Sequence, residues 1–291
     1  MRARFDAVGA RYRMKTIAVS KSFEGLQGVY RHASETCSCE MTFAAFLPPQ
    51  AKTASVPVLW YLSGLTCTHQ NVMDKGEYRQ VASELGVAIV CPDTSPRGDH
   101  VPDDKNDWKF GSGAGFYLDA TQEPYAQNYR MASYVADELP AIVARNFPVD
   151  MSRQGIFGHS MGGHGAITLA LKHPGRFRSV SAFAPICQPS TAGWSRPAFE
   201  RYLGADERAW RAHDSVYLIE DGKRVPELLV DQGTADTFLD DGLRPWLLRN
   251  ACEMAGIPLT LNMREGYDHS YFFISTFMEL HIRWHAQRFR E

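Results

Sequence analysis

The sequence predicts an α/β chain: a mostly parallel central sheet, antiparallel strands leading into it, and helices on both faces. Three observations predict it. From Val58 onward, short apolar runs alternate with stretches of helical period, the rhythm of right-handed βαβ crossovers. Across residues 16–47 strand-like runs follow one another with no helix between them, as antiparallel strands do. At Ile156–Gly165 an apolar run meets a glycine-flanked serine and then a helical stretch.

The elements follow in order. Met41–Leu47 is strand-like and stops at Pro48-Pro49. Val58–Leu62 has five consecutive apolar residues, a strand buried on both faces, and the loop Ser63–Thr68 follows it. Tyr78 to Leu85 reads as a helix with Gly86 at its C′ position, and Val87–Cys91 as another buried strand ended by Pro92. Residues 92–128 form a long stretch rich in Pro, Gly, Asp and aromatics (Trp108, Phe110, Phe116, Tyr117, Tyr125). Its aromatics argue for an ordered loop beside a cleft. The run Gly111–Gly115 within it follows no strand and reads as local turn chemistry, not a dinucleotide site. Met131 to Asn146 is helical and Ser179–Phe183 a strand; residues 185–224, with Trp194, Phe199, Tyr202 and Trp210, suggest short helices capping the cleft. Glu227–Val230 and Leu259–Met263 are the last strands, Leu243–Ala255 and Tyr271–Phe289 the last helices. No linker or repeat interrupts residues 14–291, which are expected to form one domain; residues 1–13 are expected to be a disordered extension.

Composition narrows the function classes. The chain has 291 residues, 44% of them hydrophobic, enough for a sizeable core. A formal net charge of -2, with no basic stripe, gives no reason to expect nucleic acid or an anionic membrane as partner. No apolar run approaches a membrane span, and Met1–Arg13 has arginines but no apolar h-region of a secretory signal. The six cysteines are scattered, without C-x-x-C spacing, which suits free thiols in a reducing cytoplasm.

The serine stretch carries the chemistry. Gly158-His159-Ser160-Met161-Gly162 between a strand and a helix is a nucleophile elbow. G-x-S-x-G alone is common; the flanking elements give it weight. Such an elbow orders its partners along the chain as Ser, then acid, then His. Among later histidines, His164 lies in the helix after the elbow and reads as a supporting residue. His281 and His285 are spaced i,i+4 without an H-E-x-x-H carboxylate, so a solvated or interface helix face is expected and no metal. His269 sits in the turn between the last strand and last helix, where open parallel sheets gather catalytic groups. Acid candidates are Asp231, at a strand end, Asp240 and Asp241, which read as helix caps, and Asp236, in a loop free to reach the histidine. Of the two oxyanion N–H donors, one falls on Met161; the other falls in the loop after Val58–Leu62, on Gly64 or Leu65.

Five blocks together resemble the esterase D family, the S-formylglutathione hydrolases: Leu62–Thr68 (LSGLTCT), Pro92–Gly98 (PDTSPRG), Gly111–Tyr117 (GSGAGFY), Gly158–Gly165 (GHSMGGHG) and Glu265–Ser270 (EGYDHS). The resemblance runs from about Met14 to the last helix. It implies an α/β-hydrolase fold and cofactor-free thioester hydrolysis of S-formylglutathione to glutathione and formate, in formaldehyde detoxification, by a cytoplasmic homodimer. It places the triad on Ser160, Asp236 and His269, the oxyanion donors on Leu65 and Met161, and a cysteine beside the site on Cys67. A general carboxylesterase or acyltransferase on the same fold is the alternative. Arg97, Lys105 and Lys109 are cations in the cleft loop, each expected to be solvated.

Overall fold

The computed structural model describes residues 13–290, so the expected extension over residues 1–13 lies outside the described residues except for Arg13. Nine strands form one sheet in the order β1-β2-β3-β5-β4-β6-β7-β8-β9. β1 (Lys15–Ser22), β2 (Gly25–Ser34) and β3 (Cys39–Leu47) form the antiparallel side. β3 also meets β5 (Ala88–Pro92) antiparallel, pairing Phe43 with Pro92 and Phe46 with Ile89. From β5 onward all pairing is parallel, through β4 (Val56–Leu62), β6 (Val149–His159), β7 (Ser179–Phe183), β8 (Leu228–Gly233) and β9 (Leu259–Arg264).

Every residue of β4, β5, β7 and β8 is buried, as strands covered by helices on both faces must be. Each large apolar side chain so removed from water contributes about 1.5–3 kcal/mol. The longer helices are α1 (His69–Lys75), α2 (Arg79–Leu85), α3 (Leu139–Asn146), α4 (Met161–Lys172), α5 (Arg196–Leu203), α6 (Ser215–Glu220), α7 (Pro245–Ala255) and α8 (Tyr271–Arg288). They cover both faces: α8 packs on α2, α1 and β7, while α4, α6 and α7 pack on one another and on the sheet. Gly86 caps α2 in the left-handed conformation, φ 69°. Before α3 the chain passes Met131–Ser133 and a π-helical turn, Tyr134–Glu138, whose wider i→i+5 turn the apolar pattern does not mark.

Two sequence expectations are corrected. His281 and His285 are not on a solvated or interface face: both are wholly buried. Their i,i+4 spacing does align them, but toward β7, where Ser179 and Ser181 supply small hydroxyls. Ser181 Oγ lies 2.8 Å from His281 Nδ1 and 2.8 Å from His285 Nε2, and Ser179 Oγ lies 2.6 Å from His285 Nδ1. The His281 ring also stacks on Phe183 at 3.9 Å. Asp240 and Asp241 do not cap α7 either; they sit in a π-helical turn, Leu239–Leu243, and Arg244 is the cap residue.

Because β4 through β9 run parallel, the loops after their C-terminal ends share one edge of the sheet. The loops after β4, β6, β8 and β9 carry the residues singled out above.

Candidate active site

β6 ends at His159, and α4 starts at Met161. Ser160 between them has φ 58° and ψ -118°, a conformation non-glycine residues rarely adopt. Its backbone is held on both sides: the N–H donates to Phe183 O at 2.9 Å, and the carbonyl accepts from His164 N at 3.0 Å. The turn is tight enough that a Cβ at Gly162 would overlap the Leu62 carbonyl, and one at Gly158 the Gly162 carbonyl. Glycine is therefore needed at both places for close approach.

Ser160 is 4% exposed and lines a cavity of about 190 Å³ with His159, His269, Phe238 and Trp194. Gly64, Leu65, Thr66 and Trp108 complete its wall. Asp236, 5% exposed, lies behind His269. Its Oδ2 accepts from His269 Nδ1 at 2.6 Å, and its Oδ1 accepts from Phe238 N at 2.9 Å. The structure thus brings Ser160 and His269 to one cavity and ties His269 to Asp236 rather than to the other acids. Asp231 points elsewhere, held by Arg264 Nε at 2.7 Å and Asn262 Nδ2 at 2.7 Å.

Leu65, on the loop after β4, lines the cavity, and Met161 follows Ser160 in the chain. Met161 opens α4, so its N–H has no helical partner. Among the described residues, no backbone carbonyl takes the Leu65 N–H either. The aromatic segment 111–117 braces both sides. Thr66 N donates to Gly113 O at 2.9 Å, Tyr117 Oη to Ser63 O at 2.9 Å, and Phe116 N to Met161 Sδ at 3.3 Å. Residues 92–128 are thus an ordered wall of the cleft, as their composition suggests.

Sequence reasoning passed over Gln232 and His159. Gln232 is wholly buried, and its Nε2 donates to Gly233 O at 3.1 Å and to Asp236 Oδ2 at 3.2 Å. Two acceptors on one side fix the amide with nitrogen facing the carboxylate; its Oε1 has no partner among the described residues. A buried amide four residues before the acid was the available signal. The His159 ring lies 4.4 Å from the His269 ring, and burial holds it neutral, well below the ordinary imidazole range. It therefore adds no competing positive charge beside His269. His164 is likewise neutral, pulled down by burial to about 3, so it packs behind the elbow rather than serving as a base.

Cys67 is partly buried beside the Ser63–Thr66 loop. Burial pushes its thiol up, against the backbone of Gly64 and the Lys75 ammonium, so it is no ready thiolate. Arg97 is not a free solvated cation: its Nε pairs with Asp93 at 3.1 Å and its Nη2 donates to Cys67 O at 3.2 Å. Among the described residues no three His, Cys, Asp or Glu side chains gather as metal ligands.

The arrangement of a strained serine, a carboxylate-bound imidazole and two unpaired amides suits acyl transfer. Comparison with known proteins agrees. The Esterase family model matches residues 34–284. An S-formylglutathione hydrolase of Paracoccus denitrificans is 53% identical over 94% of this chain and 98% of its own. That of Mus musculus is 50% identical over 94% of this chain and 98% of its own. A solved S-formylglutathione hydrolase from Agrobacterium tumefaciens superimposes with TM-score 0.94 at 61% identity, covering 94% of this chain and 99% of that one. A ferulic acid esterase at 19% identity and TM-score 0.70, covering 95% of this chain and 99% of that one, shares the fold.

Proposed function

The chain belongs to the S-formylglutathione hydrolases of the esterase family, and we propose that it hydrolyses S-formylglutathione to glutathione and formate with Ser160, His269 and Asp236 as its triad. The observation that carries the residue roles is the 2.6 Å bond from His269 Nδ1 to Asp236, with His269 and Ser160 on one cavity. His269 Nε2 takes the Ser160 proton as Oγ bonds to the formyl carbon. The carbonyl oxygen becomes an oxyanion and accepts from the Leu65 and Met161 N–H groups. The carbon–sulfur bond then breaks, and His269 returns its proton to the leaving glutathione sulfur. Water, deprotonated by His269, attacks the formyl-serine; formate leaves and Ser160 recovers its proton. Asp236 holds the imidazole with Nδ1–H inward and stabilises the imidazolium.

The test is steady-state kinetics of the purified chain and Ser160→Ala on S-formylglutathione and on a p-nitrophenyl ester. Wild type favours the thioester, and the variant loses about 10⁴–10⁶ of kcat on both, as nucleophile removal does in serine hydrolases. Retained turnover in Ser160→Ala refutes the serine mechanism. Preference for the simple ester would make the chain a general carboxylesterase instead. We also propose a homodimer in the cytoplasm. The six free thiols suit a reducing compartment, and no helix of the described residues is long and apolar enough to cross a membrane. Light scattering reads the dimer directly.

A further inference from the structure

The chamber over Ser160 holds about 190 Å³, below the roughly 300–1,000 Å³ of pockets that enclose a whole small-molecule ligand. A formyl thioester fits; a tripeptide does not. On the reading above, the peptide of the leaving group must therefore lie outside the chamber. It must also lie on the side of His269, because that imidazole hands its proton to the departing sulfur.

Immediately after His269 the chain enters a second cavity. Ser270, Tyr271, Phe272 and Ser275, at the start of α8, face Lys75 and Glu77, at the end of α1, across about 600 Å³. His269 lines the chamber and Ser270 lines this groove, so consecutive residues of the chain border the two. Tyr271 bridges them from the other side: its ring lies 6.2 Å from that of His159, in the chamber wall.

We propose that this groove is the subsite for the glutathione half of the substrate, with Lys75 taking a peptide carboxylate, Glu77 taking the α-ammonium and Phe272 carrying the peptide between them. The proposal rests on the glutathione thioester reading. Three observations support it. Lys75 and Glu77 are opposite charges two residues apart, and among the described residues neither has an ion-pair partner. Glutathione carries two carboxylates and one ammonium, so a plus–minus pair matches its ends. Phe272 is 84% exposed, an aromatic face with no packing duty. Lys75 also sits close enough to act electrostatically on Cys67, beside the oxyanion loop, which puts its charge within the field of the site.

Trp108 also lines the chamber, and the Lys109 ammonium lies 6.0 Å from its ring. Lys109 is thus a cation beside the chamber wall but outside the groove.

The test compares Lys75→Glu, Phe272→Ala and Lys109→Glu in the full chain. Each is assayed on S-formylglutathione and on p-nitrophenyl acetate, which has no peptide, and glutathione is used as an inhibitor of ester turnover. Lys75→Glu should raise KM for S-formylglutathione about tenfold with kcat within twofold, lowering the ratio of kcat/KM between thioester and ester by the same factor. Phe272→Ala should raise KM about three- to fivefold, and glutathione should inhibit both variants more weakly than wild type. Equal effects on both substrates, or an unchanged KM in both variants, overturn the proposal. So does a KM increase confined to Lys109→Glu. Wild type without S-formylglutathione turnover, yet inhibited by glutathione through Lys75, would sink the substrate reading and leave the groove standing.

Discussion

Asp236→Asn separates the chemistry of the carboxylate from its shape. Asp236 Oδ1 accepts from Phe238 N at 2.9 Å, a backbone donor that cannot turn away. The asparagine oxygen therefore stays on that side, and its amide nitrogen replaces Oδ2, facing His269 Nδ1 and Gln232. Gln232 can relieve the new donor–donor contact only by turning its amide over, which gives up its bond to Gly233 O and sets Oε1 against that carbonyl. With or without that rotation, the asparagine amide faces His269 Nδ1 as a donor, so Nδ1 must become the acceptor. The proton moves to Nε2, which can no longer take one from Ser160. The same tautomer error in serine proteases lowers kcat about 10⁴-fold. That corresponds to about 5 kcal/mol of transition-state stabilisation. The fold should be untouched, so melting temperature should stay within a few degrees of wild type. Stopped-flow or steady-state turnover of p-nitrophenyl acetate at neutral pH measures it. A variant that keeps its melting temperature and more than a tenth of its activity refutes the role given to Asp236.

Two further predictions concern stability against pH. Burial pulls His32, His69, His159, His164, His173, His213, His281 and His285 below the free imidazole range. The unfolded chain binds protons there that the folded chain refuses, so their stabilisation is complete above about pH 6.5 and is lost as pH falls. Between pH 6 and 5 the unfolding free energy should drop by more than about 1.4 kcal/mol, the slope of a single proton; a flat profile in chemical denaturation refutes this. Asp214 has the opposite sign. Burial raises its carboxyl from 3.8 to about 6 despite bonds from Ser190 Oγ at 2.6 Å and Val216 N at 3.1 Å. Folding there favours the protonated form, so its charge costs stability above pH 6, up to about 3 kcal/mol for that shift. Asp214→Asn should melt higher than wild type at pH 8 and lose the advantage by pH 4; a lower melting point at pH 8 counts against it.

Most of the fold and the placing of the candidate site were legible because they depend on local pattern. Val58–Leu62 reads as a two-sided buried strand, and it lies within one, Val56–Leu62. Gly158, Ser160 and Gly162 announce a turn that backbone overlap enforces. His269 and Asp236 could be nominated because chain order and strand ends constrain both. What escaped was decided by tertiary facing. His281 and His285 share a helix face, but only the hydroxyls of β7 reveal that the face is inward. Gln232 looked like one more polar residue at a strand end. Its bond to Asp236 appears only when the loop after β8 curls back. The π-helical turn at Tyr134–Glu138 is a single wider turn within a helical stretch, and Tyr134, Val135 and Ala136 are all buried there, so the apolar pattern does not mark it.

The brace at residues 111–117 has a consequence of its own. Gly113, Phe116 and Tyr117 grip both the loop of Leu65 and the Met161 side chain. The two amides come from distant stretches of chain, yet one short span sets the spacing between them. Damage to that span would strike both proposed oxyanion donors at once, so an altered molecule could remain folded, keep every proposed reacting side chain, and still turn over poorly.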